Sequence, residues 1–250
     1  KSNNSITFKD IVLISALSSN HLNEFLVFLE NKREFHVNNK HIVYNIGLNG
    51  NATEQIEARC PECIIRNFNF SSYPPHVSSI GTYAFKVLII QETLREFGSI
   101  FWCDTSVRFK TSYQEDIIQQ LMQTGVVSWH VRVKTAQYTH PDMFEYFNTT
   151  PDKYEDQVMI EPGRMLLLDT PRIQQHLIEP CVRCALNPDC IGPNGMVKGT
   201  RKVVDEEKRH LHRYDMSAFN IALGQMFNMT TPYYATRNSV YISRGDILQE

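Results

Sequence analysis

The sequence predicts an α/β fold, a mostly parallel sheet with helices on both faces. Three observations carry that expectation: short β-branched apolar runs, helical stripes that follow them, and Gly or Pro punctuation between the two. Ile11 to Ala16 reads as a first strand, and Ser18-Ser19-Asn20 turns or caps before Leu22, Phe25, Leu26 and Leu29 at helical spacing. His41 to Ile46 is a second buried strand, broken by Gly47. A short helix around Thr53 to Ala58 and a third strand near Ile64 to Phe68 follow. From Tyr83 to Phe97 the residues Val87, Ile90, Leu94 and Phe97 share one helical stripe, Gly98 offers the stop, and Ser99 to Cys103 enters a strand with Asp104 at its carboxyl end.

The alternation continues. Ser112-Tyr-Gln-Glu115 reads as a capping box before Ile117, Ile118 and Leu121, Gly125 ends that helix, and Val126 to Trp129 resumes a strand. Met165 to Leu168 is a further strand, and Asp169-Thr170-Pro171 starts a helix, followed by an expected Cys- and Gly-bearing loop. Asn187 to His212 reads as irregular. Asp215 then opens a helix whose Met216, Phe219, Leu223 and Met226 share a face. With no internal repeat or linker, one domain over residues 1–250 is expected, residues 1–10 being a stem remnant.

At 250 residues, 42% hydrophobic and 21% charged, the chain is globular rather than disordered, collagenous or coiled-coil. Lys and Arg number 25 against 27 Asp and Glu, and a net charge of −2 gives no basic field for nucleic acid or an anionic membrane. The chain opens at Lys1 rather than Met, and no apolar stretch reaches the ~20 residues that span a bilayer. A membrane anchor preceding Lys1 is therefore the expectation. Asn3, Asn51, Asn69, Asn148 and Asn228 stand in Asn-X-Ser/Thr sequons, and the 6 cysteines are even in number. Together they predict the Golgi or ER lumen, or secretion.

Cys60-Pro-Glu-Cys63 and Cys181-Val-Arg-Cys184 are paired C-x-x-C elements, which in a cytosolic protein would suggest a Cys₄ zinc site. With the sequons, disulfides among Cys60, Cys63, Cys181, Cys184 and Cys190 are expected instead, and Cys103 reads as a buried free thiol. No nucleophile elbow, G-x-G-x-x-G, Walker A or H-E-x-x-H occurs, so hydrolase, dinucleotide and P-loop readings lose support.

In an open α/β sheet, ligands bind beyond the carboxyl ends of the strands. Trp102-Cys-Asp-Thr-Ser-Val-Arg108 sets a carboxylate, two hydroxyls and a guanidinium at such an exit, where a metal or phosphate could be held or where Asp104 could close a turn. Arg209-His-Leu-His-Arg-Tyr-Asp215 brings bases and an acid to a helix start; Asp215 is a cap or a base, and His210 and His212 are solvated or ligating. Phe68, Phe70, Tyr73 and Tyr83 either line a cleft or pack in core and loops.

Several ordered segments resemble the GT-A nucleotide-sugar glycosyltransferases, and within them a metazoan, nematode-expanded family of glycosyltransferase-like domains of unknown function. They are Ser18-Ser-Asn-His21, Tyr44 to Leu48, Arg66 to Phe70 with Tyr73-Pro74, Tyr83-Ala-Phe-Lys86 and Phe101 to Phe109. Cys184 to Leu186, Cys190-Ile191 and His212 to Asn220 extend the likeness, which covers roughly Ile11 to Phe227. The resemblance implies a Rossmann-like GT-A fold and transfer of a sugar, from a donor expected to be UDP-linked, to a hydroxyl of a glycan or glycoprotein.

Asp104-Thr-Ser106 stands where that family carries the metal-binding D-x-D, with Asp104 as the ligand to Mn²⁺. Ser106 replaces the second acid, so a metal-independent enzyme with Lys86 or Arg108 on the diphosphate is the other form of the expectation. Ser18, Asn20, Lys86, Asp104, Ser106 and Arg108 are implied on the donor side. Glu161, His212 and Arg213 are implied on the acceptor side, with Asp215 as the base of an inverting enzyme or the acceptor-positioning group of a retaining one. The alternative is a non-catalytic secreted glycan-binding protein.

Overall fold

The computed structural model describes residues 6–35, 37–111, 115–198, 212–230 and 240–243. Asn3, the Ser112 capping box and His210 lie outside the described residues. Side-chain alternation along β1 (Val12–Leu17) sets the layers. Val12 and Ile14 enter the apolar core on one face of the sheet, Leu13 and Leu17 the core on the other.

After β1 come α1 (Leu22–Glu34), β2 (His41–Asn45), α2 (Gly50–Arg59), β3 (Cys63–Asn67), α3 (Ala84–Phe97), β4 (Ser99–Cys103) and β5 (Val107–Phe109). Then follow α4 (Glu115–Thr124), β6 (Val126–Lys134), α5 (Pro141–Tyr146) and β7 (Val158–Leu168). Next is α6 (Pro171–Ile173), which runs through a π-helical stretch, Gln174–Ile178, into α7 (Glu179–Ala185). The remaining elements are α8 (Pro188–Ile191), α9 (Tyr214–Met226) and β8 (Val240–Ile242).

The main sheet has the order β3-β2-β1-β4-β7-β6, while β5 pairs with β8 apart from it. β3, β2, β1 and β4 are parallel; β7 runs against both neighbours, so β6 points the same way as the other four. Helices α1, α2 and α4 cover one face through Phe25, Phe28, Ile56 and Leu121. Helices α3, α7 and α9 cover the other through Val87, Ile90, Cys181 and Phe219. The punctuation acts as the sequence predicts: Gly98 ends α3 at φ 75°, and the Thr170 hydroxyl accepts the Ile173 N–H at 3.2 Å with Pro171 in the first turn.

Three expectations need correction. The strand at Met165 begins seven residues earlier, at Val158, and carries Glu161-Pro162-Gly163 inside it. The register with β6 jumps there, from Ser128↔Met165 to Trp129↔Glu161. Glu161 thus stands at a bulge inside the strand, because a Pro and a Gly can be left unpaired where the strand buckles. The helix expected to start at Pro171 continues to Ala185 and is followed by α8, so Cys181, Cys184 and Cys190 stand on helices rather than in the loop expected after it. Within it the disulfide is Cys184–Cys190, the other being Cys60–Cys63, so the two C-x-x-C elements form no Cys₄ site. Cys181 is not a disulfide partner: it faces the core from α7 as a free thiol, and burial pushes its pKa well up. Cys103 is likewise free and buried, as expected.

Among the described residues no helix is long and apolar enough to cross a membrane. Asn51, Asn69, Asn148 and Asn228 are all exposed.

Candidate functional site

Parallel pairing of β1 with β4 opens both carboxyl ends to the same side of the sheet. A cavity of about 310 Å³ lies there, lined among others by Ser18, Asn20, Glu24, Trp102, Thr105 and Ser106. A second, of about 120 Å³, lies between the β7 bulge and the start of α9, lined by Glu161, Gly163, His212, Arg213 and Asp215. Gly81, Tyr83, Lys86 and Asp104 line both.

Lys86 is the joint between them. It sits on the otherwise apolar start of α3, so its stem packs in the core while its ammonium reaches the cavities. The ammonium is 3.1 Å from Asp104 Oδ1 and 3.5 Å from Asp215 Oδ2, and faces the rings of Tyr83 and Trp102 at 5.1 and 5.4 Å. Burial opposes its charge, but Asp104 and Asp215 outweigh that and hold its pKa above the ordinary lysine value.

Asp104 is fixed from three sides. Its N–H donates to Gly163 O at 2.7 Å, its Oδ1 accepts the Trp102 Nε1–H at 2.7 Å, and Lys86 supplies the charge. A Cβ on Gly163 would stand 2.7 Å from Asp104 Oδ2, so only glycine lets the bulge approach the carboxylate this closely. Asp215 is the second residue of α9, whose cap position is Arg213, and so is not a cap. Its carboxyl is buried, and Oδ2 has no hydrogen bond besides the ion pair to Lys86. Burial pushes its pKa up to about 6 against the pull of Lys86, with the charge of Asp104 adding to the rise.

Ser18, Asn20 and Ser106 line the larger cavity, the Ser18 hydroxyl donating to Asn20. Arg108 is not brought to it. Its side chain is buried, and the guanidinium donates to Thr105 O at 2.8 Å and Val107 O at 2.7 Å. It braces the strand-end loop. His212 reaches the smaller cavity, yet its Nδ1 accepts the His140 N–H at 3.2 Å and its Nε2 donates to Ile191 O at 3.0 Å. Burial lowers its pKa to about 4, so it is a neutral tie between segments. The Arg213 guanidinium lies over the Tyr138 ring at 5.0 Å.

Sequence reasoning missed Glu24, in the first turn of α1. The Thr105 hydroxyl donates to it, and His21 approaches at 3.5 Å. The His21 hydrogen bond lowers its pKa against burial, with Thr105 and Arg108 adding to the effect. The spacing to His21 was its only signal in the sequence. Of the four aromatics, Phe68 stacks on Tyr73 at 5.3 Å and meets Phe70 edge-on at 4.8 Å, which is packing; Tyr83 alone of the set opens into the cavities. Tyr83 and Tyr214, at φ 57° and 46°, hold the left-handed conformation that bulky residues seldom adopt, the first just before the helix that carries Lys86 and the second next to Asp215.

Residues 2–91 match a family model described as "Protein of unknown function (DUF1647)". Among curated proteins nothing matches. The solved structure of WbbM, a bifunctional glycosyltransferase in its apo form, is similar at TM-score 0.50 and 12% identity, over 72% of this chain and 35% of that one. This chain therefore spans about a third of WbbM. Core-mannan synthase A (CmsA/Ktr4) from Aspergillus fumigatus, solved in its Mn/GDP form, is similar at TM-score 0.57 and 9% identity, over 90% of this chain and 71% of that one. Likeness at such identities is likeness of fold, and the fold of this chain is the GT-A fold of glycosyltransferases.

Proposed function

We propose that the protein is a glycosyltransferase that moves a sugar from a nucleotide-sugar donor, UDP-linked in this reading, to a hydroxyl of a glycan or glycoprotein in the secretory pathway. One observation carries the reading: a buried ammonium joins Asp104 and Asp215 where two cavities meet at the carboxyl end of a parallel sheet. The larger cavity takes the donor, with Ser18 and Asn20 toward the nucleoside and Lys86, Asp104 and Ser106 toward the diphosphate. The smaller takes the acceptor between Glu161, Arg213 and Asp215, with His212 shaping its wall.

Asp215 is the base. A carboxyl titrating at about 6 is ionised at neutral pH and basic enough to take a hydroxyl proton as it is lost. The acceptor oxygen bonds to the sugar C1, its proton passes to Asp215, and the bond from C1 to the diphosphate oxygen breaks with its electrons leaving on the nucleotide. The Lys86 ammonium lies where that charge develops. A Mn²⁺ ion fits the side chains poorly: Ser106 stands where a second acid would be, and Asp104 is already engaged by Lys86 and Trp102. The reading therefore routes no step through a metal. Exposed sequon asparagines and two disulfides support a lumenal or secreted location.

The same pairing favours a second reading, a glycan-binding protein without turnover, since Lys86 engages both carboxylates. Calorimetry against UDP, GDP and other nucleotides, with and without Mn²⁺, tests the first reading. Binding of a nucleotide, unchanged by EDTA, is the expected result; no binding by any nucleotide, with glycans captured on an array, selects the second.

A further inference from the structure

At the end of the sheet away from both cavities, three ligand-type side chains converge. The Sγ atoms of Cys60 and Cys63 and a ring nitrogen of His41 all lie within 4.8 Å of one another. His41 opens β2 and pairs in register with Cys63, which opens β3, while Cys60 closes α2 and returns the chain to that edge. The fold thus brings the C-x-x-C turn onto a fully buried imidazole, packed against the rings of Phe25 and Phe28.

The orientation of that imidazole is set by a chain of hydrogen bonds. The Ser15 hydroxyl donates its only proton to Cys103 O at 2.7 Å, so its oxygen is left to accept from His41 Nε2–H at 3.0 Å. The ring is then the Nε2–H tautomer, and the bare Nδ1 lone pair faces Cys63 Sγ at 3.5 Å. A donor nitrogen aimed by a hydrogen bond from its far side is how metal-binding histidines are held. An oxidised disulfide offers Nδ1 no proton, so the lone pair has no hydrogen-bond donor on that sulfur.

We propose that the Cys60–Cys63 pair, once reduced, forms with His41 a zinc site, two thiolates and one imidazole nitrogen with a fourth position open to water. Reduction by a dithiol takes two electrons and two protons onto the sulfurs and leaves the reductant as its own disulfide; zinc then displaces both protons from the thiols. Two thiolates cancel the charge of Zn²⁺. Lys32, which approaches His41 and pairs with Glu62 at 3.8 Å, therefore meets no net repulsion. Cys63 is half-buried, which leaves a way in. The site is separate from the transfer reading and stands or falls without it.

The test is Co²⁺ titration of the whole chain after reduction with a phosphine, followed by absorbance, with far-ultraviolet circular dichroism recorded alongside. One Co²⁺ per chain with a thiolate charge-transfer band and tetrahedral visible bands is expected, displaced by Zn²⁺ and absent from the oxidised protein. Cys184→Ser/Cys190→Ser keeps the bands and Cys60→Ser/Cys63→Ser abolishes them. Ser15→Ala, which frees the ring, weakens binding about 10-fold or more. No bands in folded reduced protein, bands that survive Cys60→Ser/Cys63→Ser, or loss of the fold on reduction overturns the proposal.

Discussion

Asp104 and Asp215 share one lysine in unlike surroundings. Asp104 keeps about a third of its side chain exposed, at 32%, and is held by an indole N–H, while Asp215 is 5% exposed with one oxygen that has only the ion pair. A carboxylate held by donors at an open cavity is suited to orient a polar ligand; one kept dry and short of donors is suited to take a proton. In the proposed reaction the two acids divide the work, although both read in the sequence as a lone Asp at the end of an element.

Removing the shared cation is the strongest way to break this division. Lys86→Met leaves Asp215 buried without a counter-charge and should cost about 3–5 kcal/mol of stability in urea unfolding. A loss under about 1 kcal/mol would mean the pair is solvated. Asp215→Asn should lower turnover by roughly 10²–10⁴ with nucleotide affinity unchanged, the size expected of a general base. Asp104→Asn should act on nucleotide affinity first. The same effect from both variants would erase the distinction between them.

The dry site also makes a pH prediction. An unfolded Asp titrates near ~3.9, and Asp215 in the fold at about 6. The folded state holds the extra proton between these values, so the Asp215 contribution to stability is full below about pH 4 and is lost as pH rises through about 6. Its size is on the order of 2 kcal/mol, read as the stability difference between the parent and Asp215→Asn from pH 4 to 7. A difference that grows with pH would reverse the assignment. Smallest is Thr105→Val, which removes the hydrogen bond to Glu24 and should cost about 1 kcal/mol with little change in turnover.

Much of the fold was legible because β1, β2, β4 and α3 carry uninterrupted apolar patterns, and Thr170-Pro171 and Gly98 are local signals. β7 was half hidden. Its Glu161-Pro162-Gly163 breaks the strand pattern, and only the approach to Asp104 explains why a bulge belongs there. Arg108 misled for a related reason: a guanidinium at a strand exit suggests an anion, but here the backbone carbonyls of Thr105 and Val107 take it up in the interior. Lys86 was visible as a charge in the apolar run Ala84 to Ile90. Its burial was not, because that depends on two carboxylates 18 and 129 residues away in sequence. Cys181 followed the C-x-x-C spacing, but the turn of α7 points its thiol into the core and Cys184 toward Cys190.

In the proposed reaction a sugar is transferred with Asp215 as the base and Lys86 in place of a metal. A screen of nucleotide-sugar donors for nucleotide release, run in EDTA with Asp215→Asn as the blank, tests it most directly. The parent protein should release nucleotide from at least one donor, and the variant should do so roughly 10²–10⁴-fold more slowly. Release that requires Mn²⁺, equal release by Asp215→Asn, or no release from any donor would contradict it.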